Sequence, residues 1–145
     1  MDYEVLLAPT EIVEDLWPQV VHHVDSALKH SNGEYLSTDI LDLIIKRQIH
    51  LWCVVDGKDI VAAYTTQLRI YPQLKTLLVL TIGGSGLFKW GRLVEESLYQ
   101  FAKLQNCSSL EVYGRKGWGR LLVRQANFKQ QYIVLTKEIP REDPH

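Results

Sequence analysis

The sequence predicts a single α/β domain with about six strands and about four helices. Apolar residues recur at helical spacing before residue 45 and again after residue 86, whereas residues 51–82 contain continuous apolar runs of strand length. A glycine-rich stretch at residues 83–86 separates the two patterns. With 145 residues, 46% of them apolar, the chain is long enough to bury one core. We expect one domain over residues 1–139 and a loose polar tail over residues 140–145.

The first 45 residues predict one strand followed by two helices. Residues 3–7 form a short apolar strand pattern. Residues 10–28 carry apolar side chains at helical spacing, and Pro18 within them predicts a kink or a restart of the helix. A second helix, capped by Ser37 or Thr38, follows the break after residue 30.

The remainder of the chain predicts five strands and two helices. Asp56-Gly57 is a strong hairpin signal between two strand patterns. The run around Leu77–Leu80 is apolar throughout, which is typical of a strand buried on both faces. The predicted elements are strands 51–55, 60–68 and 75–82, a long helix after residue 86, strand 109–113, helix 117–125 and strand 132–137.

The composition argues against secretion, membrane insertion and a metal site. No apolar run approaches the roughly 20 residues that cross a bilayer, and the acidic amino terminus lacks a signal-peptide core. Cys53 and Cys107 are isolated, so they are better interpreted as small buried apolar residues than as a disulfide or metal pair. His22 and His23 are adjacent in a predicted helix, so their side chains point about 100° apart and cannot bind a metal as an i, i+4 pair would.

Charge is distributed unevenly along the chain. Residues 1–45 contain nine acidic residues and one basic residue, whereas residues 46–145 contain eight acidic and 15 basic residues. An acidic part suits a basic partner, and a basic part suits a phosphorylated ligand, an acidic protein or nucleic acid. No nucleic-acid-binding motif is present, so we do not expect nucleic acid as a partner. The basic residues of the 86–130 region outnumber its acidic ones by eight to three and include Lys89, Arg92, Arg115, Lys116, Arg120, Arg124 and Lys129.

Several short phrases occur in an order and spacing that resemble those of a known superfamily. They are SNGEY at 31–35, LWCVVDG at 51–57, AYT at 63–65, YP at 71–72, IGG at 82–84, FA at 101–102 followed by Cys107, and GRKGW at 114–118. Together with the order of predicted elements, they resemble the GNAT-like proteins of bacteriophages and prophages. GNAT proteins are acyl-CoA N-acyltransferases and their relatives. The resemblance covers essentially the whole chain and implies a three-layer fold with a mixed central sheet.

The resemblance also implies a cofactor site where the fourth strand meets the next helix. In the GNAT fold, pantetheine pairs with the exposed backbone at that strand's end, and the pyrophosphate lies on the helix amino terminus. The site residues implied here are Leu80, Ile82, Gly83, Gly84, Gly86, Lys89, Trp90, Gly91 and Arg92.

The pyrophosphate loop departs from the pattern of the enzymes, which is Arg/Gln-x-x-Gly-x-Gly/Ala. With Gly91 at the final position, Gly86 replaces the leading Arg or Gln, and Lys89 replaces the middle glycine. A lysine can contact phosphate as a point charge, but its side chain enters space that close backbone approach requires. Residues 83–86 offer an alternative anion-binding nest.

Both proton-transfer groups of the enzymes are also altered or uncertain. The usual acid is a tyrosine in the phrase Tyr-x-x-x-Gly-Phe; matching its Phe to Phe128 places Val123 at the tyrosine position and Asn127 at the glycine position. The remaining tyrosines that could replace it, if the fold directs one to the cleft, are Tyr99, Tyr113 and Tyr132. Glu111 is the candidate catalytic base, and the competing interpretation is a solvent-facing partner of nearby bases.

Two functions follow from these departures. We expect a bacteriophage GNAT-like protein that is not catalytic and acts as a binding or structural component, or an assembly factor, in virion morphogenesis. Its partners would be other phage structural proteins or a second copy, bound through oppositely charged surfaces, in the host cytoplasm and the virion, without a cofactor and away from membranes. The alternative is an acyl-CoA-dependent N-acyltransferase with a degenerate pyrophosphate loop, using acetyl-CoA or CoA.

Overall fold

The computed structural model describes residues 2–31, 33–113, 128–129 and 134–141. The chain divides into two compact units, Met1–Tyr113 and Gly114–His145. Every helix and strand named below belongs to the first unit. The predicted helix 117–125 lies outside the described residues, and so do the first two residues of the predicted strand 132–137; its described part, residues 134–137, has no regular secondary structure. The prediction of one domain over residues 1–139 stays a prediction.

In the described residues, five strands, three α-helices and one 3-10 helix follow one another in the predicted order, which confirms the α/β class. The elements are β1 (Tyr3–Leu7), a 3-10 helix (Thr10–Ile12), α1 (Val13–Leu28), α2 (Ser37–Ile45), β2 (His50–Asp56), β3 (Asp59–Ile70), β4 (Lys75–Gly84), α3 (Leu87–Leu104) and β5 (Ser109–Val112). None of the helices among the described residues is long and apolar enough to cross a membrane.

Two helix starts differ from the sequence prediction. Helix α1 runs from Val13 to Leu28 without the restart predicted at Pro18, which lies in its second turn. The N-cap of α2 is Leu36, not Ser37 or Thr38. The Asp39 carboxylate accepts a hydrogen bond from the Leu36 N–H at 2.8 Å and so takes over the capping role.

The five strands form one mixed sheet in the order β1-β2-β3-β4-β5. Neighbouring strands are antiparallel from β1 to β4, whereas β4 and β5 are parallel and are connected through α3. The turn at Asp56-Gly57 joins β2 and β3 as predicted; Gly57 adopts a positive φ of 61°, which glycine tolerates without strain. This chain order brings the end of β4 to the start of α3.

Helices cover both faces of the sheet, which gives the predicted three layers. Along β2, Trp52 and Val54 face α3, and Leu51 and Cys53 face α1 and α2. This alternation follows the two-residue period of a strand. The first face packs against the buried α3 residues Trp90, Val94, Leu98 and Ala102, and the second against buried residues of α1 and α2 that include Val20, Val24, Ile40 and Ile44.

Candidate functional site

Strand β4 extends beyond the point at which its pairing with β5 ends. The parallel pairing ends with Val79 opposite Val112, and β4 continues to Gly84. On its other side, β4 stays paired with β3 through Gly84. Within the described parts of the chain, residues 80–84 therefore have no strand partner on the β5 side. Backbone N–H and C=O groups at such an edge can pair with the amides of a ligand.

A β-bulge lies at the same place. Thr65 is opposite Thr81, whereas Thr66 is opposite Val79, so Leu80 is an extra residue in β4. A bulge bends its strand and increases the local twist. The bulge lies one residue after the pairing with β5 ends, so both irregularities of β4 occur at one point.

The side chains of the two implied β4 site residues point into the core. Leu80 packs with the cluster under α1 and α2, and Ile82 packs with the cluster under α3. Both side chains are partly buried in these clusters, and the backbone groups of the two residues face the open edge in the plane of the sheet.

Helix α3 begins immediately after this open end of β4. Gly86 is its N-cap and has a left-handed backbone with φ of 81°. The Lys89 N–H donates to the Gly86 carbonyl at 2.8 Å, and the Trp90 indole Nε1–H donates to the Ser85 carbonyl at 2.8 Å. These two bonds fix the loop and direct the Ser85 carbonyl at the indole.

The first turn of α3 favours an anion. In the part of the chain that the structure describes, the N–H groups of Leu87 and Phe88 have no acceptor. Unpaired N–H groups and the helix dipole together attract negative charge to this end. The resemblance implied an anion site here, and the local geometry suits one.

Gly83 and Gly84 are required by packing rather than by a ligand. A Cβ on Gly83 would overlap the backbone carbonyl of His23 in α1. Gly84 has φ of 135°, and a Cβ there would lie 2.5 Å from the Ala62 Cβ. Both glycines lie in β4 and pair with β3. An anion-binding nest within residues 83–86 could therefore include only Ser85 and Gly86.

Gly86 and Gly91 have open space around them. The closest atom to a Cβ on Gly86 would be the Trp90 Nε1 at 3.5 Å, so only its left-handed φ demands glycine. A Cβ on Gly91 would lie 3.5 Å from the Leu87 Cδ1, an ordinary contact. Nothing in the packing of α3 therefore explains the glycine at position 91.

The rim of this end is basic and partly aromatic. Lys89 and Arg92 are exposed, and neither forms an ion pair within the described residues. Phe88 is 87% exposed, and the Lys89 Nζ lies 5.7 Å from the centre of its ring. Trp90, by contrast, is only 2% exposed, and its hydrogen bond to the Ser85 carbonyl holds the loop in place. The bases Arg115, Lys116, Arg120 and Arg124 lie outside the described residues.

Glu111 lies in β5 near the same opening. It is opposite Leu78 and half-buried. Its neighbours Leu110 and Val112 pack on the α3 side, so Glu111 points to the other face of the sheet. Its role as a base stays a prediction.

The tyrosines that could serve as the acid differ in position. Tyr113 directly follows β5, where β4 and β5 separate, and is 65% exposed. Tyr99 is 55% exposed in the second half of α3, with the Lys103 Nζ 5.5 Å from its ring centre. Tyr132 and the Val123 and Asn127 of the altered acid motif lie outside the described residues. Of the two described tyrosines, Tyr113 is the one next to the opening.

The cysteines and histidines show no arrangement for nucleophilic or metal chemistry in the described residues. Burial raises the pKa of the Cys53 thiol to about 11, and it also raises the pKa of Cys107. The His23 Nε2 lies 3.0 Å from the Ile60 carbonyl, and burial lowers the pKa of His23, so the neutral ring donates this bond. No group of three His, Cys, Asp or Glu residues within these ranges is placed to hold a metal ion.

Sequence reasoning missed a set of buried polar side chains beneath the site. The Thr65 and Thr81 hydroxyls lie 2.7 Å apart across β3 and β4. The Tyr64 hydroxyl is fully buried and has no hydrogen-bond partner among the described residues. Its ring stacks on Trp52 with centroids 5.6 Å apart. The alternation of side chains along residues 62–66 is a signal that could have shown which of them face α3. Whether the Tyr64 hydroxyl finds a hydrogen-bond partner depends on packing against residues far away in the chain.

Comparison with known proteins finds similarity in structure only. No family model matches the chain, and no curated protein matches it. Solved structures with the same fold include a ribosomal-protein-alanine N-acetyltransferase from Brucella melitensis biovar Abortus 2308, with a TM-score of 0.70 and 15% identity over 96% of this chain and all of the other.

Two further solved structures give the same result. A GNAT family acetyltransferase from Staphylococcus aureus has a TM-score of 0.63 and 11% identity, covering 96% of this chain and 100% of its own. An aminoglycoside acetyltransferase from an uncultured soil metagenomic sample, solved with sisomicin, has a TM-score of 0.68 and 11% identity, covering 95% and 97%. None of these findings indicates a relationship specific to bacteriophages. The chain has the fold of the GNAT acetyltransferases.

Proposed function

We propose that this protein binds acetyl-CoA at the junction of β4 and α3 and transfers its acyl group to an amine. The observation that carries the proposal is the open edge of β4 at residues 80–84, directly beside the first turn of α3. An extended ligand with amides and a pyrophosphate finds a hydrogen-bonding edge and an anion site next to each other there. The solved structures of the same fold support this choice, because those proteins are acetyltransferases.

The residues present are compatible with the cofactor. The backbone of residues 80–82 would pair with the pantetheine amides, and the N–H groups of Leu87 and Phe88 would bind the pyrophosphate. Lys89 is exposed, so its ammonium can turn toward a phosphate instead of blocking the backbone. Arg92, one turn beyond Lys89 in α3, adds a second positive charge at the same end. Bound acetyl-CoA would supply a thioester as the acyl donor.

Side chains of the protein would accept and donate the protons of the transfer. The transfer would exchange the C–S bond of the thioester for an N–C bond to a neutral amine, with one proton lost by the amine and one gained by the CoA sulfur. Glu111 or a water molecule would accept the proton from the amine. Tyr113, the described tyrosine next to the opening, would give a proton to the sulfur in place of the tyrosine that Val123 replaces, and would recover one from solvent. The products would be the acylated amine and free CoA thiol.

A second candidate function is binding without catalysis. The observation that favours it is the combined loss of the loop pattern at Gly86 and Lys89 and of the acid at Val123. In this case the protein is a virion component or assembly factor, and its partners are phage structural proteins or a second copy. Fold alone does not decide between the two functions.

Turnover separates the two candidates. Release of free CoA thiol would be followed with acetyl-CoA and three amines: an aminoglycoside, a peptide with a free amino-terminal alanine, and spermine. We expect thiol release that depends on the amine for one of these three amines. Glu111→Gln should reduce the rate about a hundredfold or more if that carboxylate is the base. Glu95→Gln, a half-buried carboxylate change in α3, is the matched control. Acetyl-CoA binding without thiol release for any amine would favour the second candidate.

A further inference from the structure

An open cavity of about 420 Å³ lies away from the β4–α3 junction. Its walls come from the end of β1, the 3-10 helix, the end of α2 and the start of β2. It borders β1 and β2, whereas the loop before α3 follows β4, two strands further along the sheet. The volume falls within the range of small-molecule sites.

The cavity has an aliphatic wall and a polar wall, and the polar wall consists of the Arg47–Glu11 ion pair, Thr10 and His50. Leu7, Ile44 and Ile49 supply aliphatic wall. The Arg47 Nη2 lies 2.9 Å from the Glu11 Oε1, and the Arg47 Nη1 donates to the Thr10 Oγ1 at 3.4 Å. A ligand that enters would therefore meet aliphatic side chains on one side and, on the other, the Arg47 guanidinium with Glu11, Thr10 and His50 beside it.

Arg47 has a backbone conformation that glycine would adopt more easily. It follows α2 with φ of 61°. The Arg47 N–H donates to the Ile44 carbonyl, and the Gln48 N–H donates to the Leu43 carbonyl at 2.9 Å, which is the bonding of a Schellman helix end. A left-handed residue other than glycine lowers the folding equilibrium by about five- to thirtyfold. Asn106, at the equivalent position after α3, is a residue type that tolerates this conformation.

The side-chain contacts of Arg47 offset little of this cost. The side chains of Arg47 and Glu11 are 67% and 68% exposed. An ion pair in such an exposed position contributes at most about a fivefold gain in the folding equilibrium. Backbone strain that local contacts do not repay is typical of a residue kept for its side chain.

We propose that this cavity binds a small carboxylate with an aliphatic body, and that Arg47 holds the carboxylate. The guanidinium offers paired N–H donors that match a carboxylate. The Glu11 carboxylate, already bonded to Arg47, occupies the place that the ligand's carboxylate would take. The ligand must displace Glu11, whose pKa is lowered by its backbone N–H and by Arg47 and which therefore stays charged and competes at neutral pH.

The test is a titration followed by amide chemical shifts in NMR spectra. The probe is 4-methylpentanoate, and the uncharged control ligand is 4-methylpentanamide. We expect the carboxylate, and not the amide, to shift the signals of Leu7, Ile44 and Ile49 in the wild-type protein. Glu11→Gln removes the competing charge and should bind the probe about fivefold more tightly.

The variant Arg47→Gly distinguishes loss of the binding site from loss of the fold. Glycine suits the left-handed position, so this variant should fold at least as well as the wild type and bind no probe. Lys46→Gln, a neighbouring exposed charge change, should bind as the wild type does. The proposal is overturned if neither the wild type nor Glu11→Gln binds the carboxylate up to about 20 mM, if the amide binds equally well, or if Arg47→Gly retains binding. Acetyl-CoA binding should be unchanged in Arg47→Gly, so failure here leaves the proposed function intact.

Discussion

Replacing Gly91 by alanine tests whether the space around this glycine admits a side chain. Gly91 is the fifth residue of α3, inside the helix. An added Cβ would lie 3.5 Å from the Leu87 Cδ1, so it meets no clash. Glycine in a helix interior is less stable than alanine by about 1 kcal/mol. For a chain of this size, Gly91→Ala should therefore raise the melting temperature by roughly 3–5 °C.

The same variant should bind acetyl-CoA as the wild type does. The loop pattern of the enzymes accepts glycine or alanine at the position of Gly91, so the resemblance implies that a methyl group there is compatible with the cofactor. We expect a higher melting temperature together with a dissociation constant within about twofold of the wild type, a difference of less than about 0.5 kcal/mol. Thermal unfolding and calorimetric titration of one preparation measure both quantities.

Gly83→Ala is the control for this reasoning. Its Cβ would overlap the His23 carbonyl, so we expect the free energy of unfolding to fall by about 3 kcal/mol. If Gly91→Ala lowers the melting temperature, the open surroundings assigned to Gly91 are wrong. If it is stabilising but weakens acetyl-CoA binding about tenfold or more, the assignment of Gly91 to the Gly/Ala position of the loop is wrong.

Two further predictions concern buried polar groups. Tyr64→Phe removes a buried hydroxyl that has no partner in the described residues, so urea unfolding should show a gain of about 1 kcal/mol; a loss of stability would mean that the hydroxyl is hydrogen-bonded. Burial lowers the pKa of both His23 and His50 below 6.5. Because the unfolded chain then binds more protons, stability should be constant above about pH 6.5 and fall below it, by at most about 1.4 kcal/mol per pH unit for each histidine. Urea midpoints at pH 7.5, 6.5 and 5.5 measure this, and an unchanged or rising midpoint on acidification would contradict it.

The order of elements could be predicted because it depends on local signals. The helical spacing after residue 86, the apolar run at Leu77–Leu80 and the turn at Asp56-Gly57 each act within a few residues. The cap of α2 could not be assigned from residue type alone. Ser37 and Thr38 are good caps, but Asp39 reaches back to the Leu36 N–H and moves the helix start.

The sequence predicts which candidate residues lie near one another but not how they pack, and their role in binding stays a prediction. The residues around the β4–α3 junction lie close together, because they are neighbours in the chain. Sequence could not show that Gly83 is needed for contact with α1, because His23 is 60 residues away along the chain. For the same reason, neither the bulge at Leu80 nor the cavity beside Arg47 could be foreseen. Both depend on how distant segments align.

Calorimetric titration with acetyl-CoA at low salt tests the central proposal most directly. The wild-type protein should bind with a dissociation constant on the order of micromolar. Lys89→Glu should weaken binding at least about fivefold, because it reverses a charge at the α3 amino terminus. Lys103→Glu, at the other end of the same helix, should change it little. Absence of binding up to about 1 mM acetyl-CoA, or equal binding by both variants and the wild type, would contradict a cofactor site at the β4–α3 junction.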